Sequence, residues 1–314
     1  MQTLLRVLAA AVAVLAVTLA GALWWLHADA HRERADWFEL RRGSLQSVTS
    51  EALAAPAGTT GERVRVTADT GLSVQFRVLR PAGETRLPVL LLLGGHQTGS
   101  AAVELFGAVT GRAVVAFDYP YDGPASTRGV GATLAALPAI RRAFLDAAPA
   151  IWLALDWITA QQWSDPERVV MSGVSLGVPF AATAAAHDPR IDALLLVHGA
   201  ADNRAWIEKN LSRELDAGML QPALATLLNW LVYGPLHDTA RHVAAMSPRP
   251  VVIVGAREDE RAPVGATERL YGAAREPKSL HWTEGQHVQP SRPGIVDALL
   301  SILDDEMSDG VLRN

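Results

Sequence analysis

The sequence predicts an α/β architecture: one mostly parallel, doubly wound sheet with helices on both faces, an antiparallel hairpin at its N-terminal edge, and a helical insertion suited to capping one end. Three observations carry that prediction. Short apolar runs of strand length alternate with helical stretches from residue 89 onward. One of those runs turns directly into an Ala-rich helical segment at Gly173-Val174-Ser175-Leu176-Gly177. Ahead of the alternating region, Val7 to Leu26 carries no charged residue, ends in Trp24-Trp25, and has the length of a membrane span.

The N-terminal helix has two readings. Arg6 and the amino terminus form a small basic region, and Ala28-Asp29-Ala30 has the small-x-small form of a signal cleavage site. The apolar run exceeds the usual signal-peptide core, so residues 1–30 are read as a signal peptide or, by preference, an uncleaved anchor. Arg32, Arg34, Arg41 and Arg42 outnumber Arg6 and argue for a cytoplasmic body. A single span that begins like a signal peptide argues for export, and the exported side is the expectation adopted.

The elements then follow in order. Residues 31–61 read as a linker whose charged first part is compatible with a helix, and 54–61 read as loop by composition. Arg63–Thr67 and Leu72–Leu79 alternate as two strands joined at Asp69-Thr70-Gly71. Val89–Leu93, Ala113–Phe117, Ala193–Val197 and Val251–Val254 are continuous apolar runs, the pattern of parallel strands buried on both faces, and Val169–Ser172 is the strand before the turn at Ser175. Ser279–Trp282 completes the strands. Helical stretches are expected over 134–161, interrupted near Pro149, and over 290–304. Residues 201–246 are too long for a simple crossover; two or three helices there would either pack conventionally or cap an apolar pocket. Residues 62–305 form the main α/β domain on this reading, and 306–314 a tail.

A strand that turns sharply into a helix needs small residues beside the turning position, and the glycines flanking Ser175 meet that need. A serine hydroxyl is a weak nucleophile near neutral pH, so it requires a base and a group that orients the base. Asp259 lies in the acidic loop after the Val251 strand, and His287, in Gly285-Gln286-His287, follows the last strand. Serine, acid and histidine thus each fall beyond the carboxyl end of a predicted strand, where sites form in open parallel sheets. Glu258 and Asp202 are rival acids; His281 and His198 are rival bases, each read as a structural histidine.

The order and context of these three motifs resemble the α/β-hydrolase-fold serine hydrolases, near the dienelactone-hydrolase-like and carboxylesterase-like branches. The resemblance implies Ser175 as nucleophile, His287 as general base and then acid, and Asp259 as the carboxylate that holds the imidazole. It also implies an oxyanion hole of two backbone N–H groups, Leu176 and one from Gly94-Gly95-His96-Gln97-Thr98-Gly99. His96 is preferred for the second donor, with Gln97 as the alternative. Dienelactone hydrolases proper carry cysteine at the elbow; this chain has none, a departure that tells against that particular activity.

The absence of cysteine also excludes disulfides and thiolate metal sites. A net charge of −5, without a basic stripe interleaved with aromatics, excludes nothing structural but offers no footprint for nucleic acid. No cofactor or metal is expected; the expected partners are a small-molecule ester or acyl substrate and, through the N-terminal helix, a membrane. Ester hydrolysis is the leading reading. Acyl transfer or peptide cleavage by the same residues, and a tethered binding protein that lost catalysis, are the alternatives.

Overall fold

The computed structural model describes residues 1–95, 98–124, 129–308 and 310–313. Helix α1 (Gln2–Ala30) leads the chain and is long and apolar enough to cross a membrane, with a mean hydropathy of 2.4 over its most apolar stretch. Its outer turns are exposed, whereas Leu26 and Ala30 at its far end are buried. There the His27 ring stands edge-on to Trp230 at 5.0 Å, and Asp29 receives Arg34 at 2.7 Å and Arg141 at 3.6 Å.

The stretch expected to be a linker is part of the folded body. It contains α2 (Ala35–Arg42) and β1 (Leu45–Leu53). Phe38 of α2 is buried in the main core, and the Arg41 guanidinium donates to both carboxylate oxygens of Asp146, at 2.8 and 2.7 Å. β1 has no apolar alternation because all but its last residue are exposed, so periodicity could not reveal it. It pairs antiparallel with β2 (Thr59–Ala68), which in turn forms the expected hairpin with β3 (Ser73–Pro81). The hairpin is therefore one strand in from the sheet edge.

The remaining strands are β4 (Leu87–Leu93), β5 (Ala113–Phe117), β6 (Ser164–Val174), β7 (Ala193–Val197), β8 (Val251–Ala256) and β9 (Lys278–Thr283). Their order in the sheet is β1-β2-β3-β5-β4-β6-β7-β8-β9. β3 meets β5 antiparallel, and every later pairing is parallel. The connecting helices are α3 (Val130–Ile158), α4 (Gly177–His187), α5 (Asn203–Glu214), α6 (Gln221–Leu231), α7 (Thr239–Ala244), α8 (Ala266–Ala273) and α9 (Pro293–Ser308). α3 runs through Pro138 and Pro149 without the expected break. Burial of Ala147, Ala148, Ala150 and Ile151 holds the helix together where a proline removes one backbone hydrogen bond.

Alternation along β4 divides the core. Val89, Leu91 and Leu93 face a large cluster under α2, α3, α4, α7 and α8. Leu90 and Leu92 face a smaller one, covered by α9 and two single 3₁₀ segments at Gly99–Phe106 and Val311–Arg313. One face of the sheet is thus thickly covered and the other thinly. The C-terminal residues belong to that thin cover: Glu306 is buried and accepts a hydrogen bond from Ser279 Oγ at 2.7 Å.

Candidate active site

Ser175 sits on the tight turn between β6 and α4 with φ +55°, a left-handed conformation that a non-glycine residue adopts only under constraint. Its N–H donates to Val197 O at 2.9 Å, and its carbonyl accepts from Val178 N–H at 3.2 Å. The flanking glycines permit the turn. A Cβ on Gly173 would stand 2.7 Å from Ala181 Cβ and 2.8 Å from Gly177 O, and one on Gly177 would collide with Leu93 O. The elbow predicted from small-residue spacing is therefore a steric requirement of strand, turn and helix packed together.

The structure brings Ser175, His287 and Asp259 into one hydrogen-bonded chain. His287 Nε2 lies 2.8 Å from Ser175 Oγ, and His287 Nδ1 lies 3.0 and 2.9 Å from the two oxygens of Asp259. With the carboxylate on Nδ1, the neutral ring carries its proton there and leaves Nε2 to accept from the serine hydroxyl. Asp259 Oδ1 also accepts from the amides of Arg261 and Ala262, each at 2.9 Å. Burial works to raise the Asp259 pKa, but the bond and charge of His287, aided by those two amides, outweigh it and hold the carboxyl below its ordinary range. The acid stays ionised where it faces the imidazole.

The backbone around His287 is clamped by residues the sequence did not single out for this purpose. Its N–H donates to Glu260 Oε2 at 2.9 Å, its carbonyl accepts from Arg292 Nη1 at 2.5 Å, and the same guanidinium reaches Glu260 Oε1 at 3.1 Å. Val288 N–H donates to His198 Nδ1 at 2.9 Å, and His198 Nε2 faces Thr283 Oγ1 at 3.1 Å. Burial, with the His287 ring nearby, lowers the His198 pKa to about 4, so this imidazole is neutral and serves as an acceptor. His198 is a rival turned support. Nothing in spacing marks Glu260 or Arg292; only the fold closes that ring.

The other rivals are placed elsewhere. Glu258 is exposed and bonds Gly285 O through its backbone N–H. Asp202 caps α5 by accepting from Ala205 N–H at 3.0 Å. His281 pairs with Glu306 on the α9 side. His198, Asp259 and His287 lie close enough together to surround a cation. Each offered atom already has a hydrogen-bond partner, so the cluster reads as a proton-bonding network rather than a ligand set.

On the opposite side of Ser175 runs the Gly94-Gly95 segment after β4. Tyr119, whose pKa burial raises, donates its hydroxyl to Gly94 O at 2.9 Å, and Thr98 N–H donates to Gly95 O at 3.2 Å. An added Cβ on Gly95 would lie 3.8 Å from Ser175 Cβ, so the loop passes close to the nucleophile. Leu176 opens α4, and among the described residues its N–H has no acceptor. His96 and Gln97, the expected second oxyanion donors, lie outside the described residues.

Two cavities meet at Ser175. The larger, of about 250 Å³, lies between the sheet and α9 on the thinly covered face. The smaller, of about 60 Å³, lies on the other face among Phe144, Phe180, Trp206, Ile207 and Val232. Of these two cavities, the insertion at 201–246, read from sequence as either conventional packing or a cap, lines only the smaller.

The strand order, the elbow and the carboxyl-edge site together decide the architecture. The chain has the α/β-hydrolase fold. It is similar to an acetyl xylan esterase from Paenibacillus sp. R4 (TM-score 0.62, 18% identity, covering 86% of this chain and 92% of that one). It is also similar to acetyl xylan esterase 1 from Thermoanaerobacterium sp. JW/SL YS485 (0.58, 15%, 89% and 96%). The α/β hydrolase GrgF from Penicillium sp. sh18 superposes as well (0.55, 17%, 83% and 98%). Identities this low speak to the fold alone. No protein-family model and no curated protein matches the chain.

Proposed function

We propose that this protein is a serine hydrolase that cleaves a carboxylic ester, or a close acyl relative, through an acyl-serine intermediate. The observation that carries the reading is the Ser175–His287–Asp259 chain, with bonds of 2.8 to 3.0 Å, at a strained elbow that opens into a cavity. Ser175 Oγ attacks the ester carbonyl while its proton passes to His287 Nε2. The Leu176 N–H, together with a donor from the loop after β4, receives the oxyanion. His287 then gives its proton to the departing alkoxide, and the alcohol leaves. Water enters, loses a proton to His287 and attacks the acyl carbon; the carboxylic acid departs as Ser175 regains its proton. Asp259 holds the ring in the tautomer both half-reactions need.

Similarity to acetyl xylan esterases supports ester chemistry at this site. The test is labelling with a fluorophosphonate, run beside Ser175→Ala and His287→Ala, with the modified peptide located by mass spectrometry. Label on Ser175 that both substitutions abolish is the expected result. A folded protein that takes no label, or an Ser175→Ala variant with wild-type turnover, refutes the assignment.

We also propose that α1 stays attached as a membrane anchor, with the body on the extracytoplasmic side. Burial of Ala30 and the grip on Asp29 support retention, because cleavage after Ala30 would discard those contacts. The mass of the protein recovered from membranes tests it.

A further inference from the structure

The larger cavity has a shape and a chemistry that the sequence did not announce. Its polar lining comes from loops beyond the strand ends: Gly94, Thr98, Arg261, His287 and Gln289. Away from that edge the walls are the strand side chains Leu90, Leu92, Leu195 and Val197, faced by Leu299 and Leu303 of α9; Ser172 is the single hydroxyl among them. From Gly94 down to Leu90 is a run of about 13 Å along β4 at strand spacing. The inner end is closed, because Leu90, Leu195 and Leu303 are themselves buried. Among the described residues, α9 and two 3₁₀ segments cover this face of the sheet, and the cavity lies beneath them.

We propose that this cavity is an acyl-chain site, which takes the unbranched alkyl chain of a medium-length fatty acyl ester whose carbonyl lies at Ser175. The inference rests on the serine-hydrolase reading above and names its substrate class. Three properties support the choice of occupant. The walls are hydrocarbon along their depth and polar at the rim, which matches a chain with an ester head. The cavity has a volume of 250 Å³ and runs about 13 Å at strand spacing, room for a chain of medium length. A blind cavity suits the group that stays bonded to Ser175 through both half-reactions, whereas the alcohol must leave and water must replace it at His287. The cavity on the other face, at 60 Å³, is about a quarter of that size and the poorer fit for such a chain.

The test uses the full-length protein and a set of p-nitrophenyl phosphonates, in which Ser175 Oγ bonds to phosphorus, p-nitrophenolate leaves and the serine proton goes to His287. The probes carry methyl or octyl on phosphorus with a methyl ester. A third, isomeric probe carries methyl on phosphorus and octyl on its ester oxygen, so that partitioning into micelles is matched. Each buried methylene is worth about fourfold. The octylphosphonate is therefore expected to label Ser175 at least 30-fold faster than the methylphosphonate, and at least tenfold faster than its isomer. Ala102→Phe, from the 3₁₀ segment Gly99–Phe106, and Leu299→Trp, from α9, each fill the cavity and should lower the octyl-to-methyl ratio at least tenfold; if one variant does not fold, the other supplies the readout. With p-nitrophenyl esters, kcat/KM should rise to about the octanoate and fall by the dodecanoate. Labelling of Ser175 at similar rates by the methyl and octyl probes, a faster isomer, or a ratio unchanged in both variants overturns the acyl-chain site while the serine assignment stands. Absence of label on Ser175 with every probe, methyl included, refutes the serine assignment and the inference with it.

Discussion

Replacing Asp259 by Asn tests the proton relay without removing an atom from it. The carboxylate Oδ1 accepts from two amides, Arg261 and Ala262, at 2.9 Å each. An asparagine must keep its carbonyl oxygen there, since turning its NH₂ toward two N–H donors would leave both unsatisfied at about 1–3 kcal/mol apiece. The amide nitrogen then occupies the place of Oδ2, 2.9 Å from His287 Nδ1, so of the two acceptors facing that N–H one becomes a donor and only Oδ1, at 3.0 Å and already shared with two amides, remains. With the carboxylate charge also gone, the tautomer protonated on Nε2 gains, and it donates to Ser175 Oγ instead of accepting from it. The expected loss is about 10³–10⁴ in kcat, or roughly 4–5.5 kcal/mol of transition-state stabilisation, with KM little changed. The assay is p-nitrophenol release from a short ester by Asp259→Asn and Glu258→Gln in parallel, with thermal melts to verify folding. Activity above one tenth of wild type in a folded Asp259→Asn, or an equal loss in Glu258→Gln, would refute the orientation argument.

Four further outcomes follow from the same geometry. Glu260→Ala leaves the His287 N–H without its acceptor and removes the carboxylate that steadies Arg292, so kcat should fall about 10–100-fold with a small change in KM, as read by initial rates. Gly177→Ala places a methyl against Leu93 O and should destabilise by about 1–3 kcal/mol or more, seen as a lower urea midpoint; an unchanged midpoint would mean the elbow can widen. His198, His237 and His242 are buried with pKa values lowered to about 4, 3 and 4. The unfolded chain therefore takes up protons near pH 6.5 that the native one refuses, so Tm should drop as pH falls from 7 to 5 and stay flat above 7. Truncation to Gly61 removes β1 and the buried Phe38, and should cost on the order of 3–5 kcal/mol relative to a chain that begins at His31.

What was legible in the sequence was whatever buried chemistry writes as a pattern. Continuous apolar runs located the parallel strands because both their faces are covered. The two glycines located the elbow because no Cβ fits beside it. Asp259 and His287 were found because parallel strands deliver their following loops to one edge. β1 was missed because it faces solvent on both sides and carries no period to detect. The clamp on His287 was missed because Glu260, Arg292 and His198 are distant in sequence and meet only after the sheet closes. The larger cavity at Ser175 lies on the face away from the insertion, since a void depends on how little covers a surface, which no local pattern records.

The junction of α1 with the body has a mechanical consequence. Ala30 is buried, Asp29 is held by two arginines, and α2 begins at Ala35. A flexible tether lets an enzyme sweep a hemisphere and sample substrate at any height within its reach. Here the mount is rigid. For a chain whose α1 stands in a bilayer, the mouth of the site is carried at one distance from the lipid surface and one angle to it. The layer of substrate it can harvest is then selected by helix tilt, and lengthening or shortening α1 by a single residue would rotate the mouth by about 100° around the membrane normal.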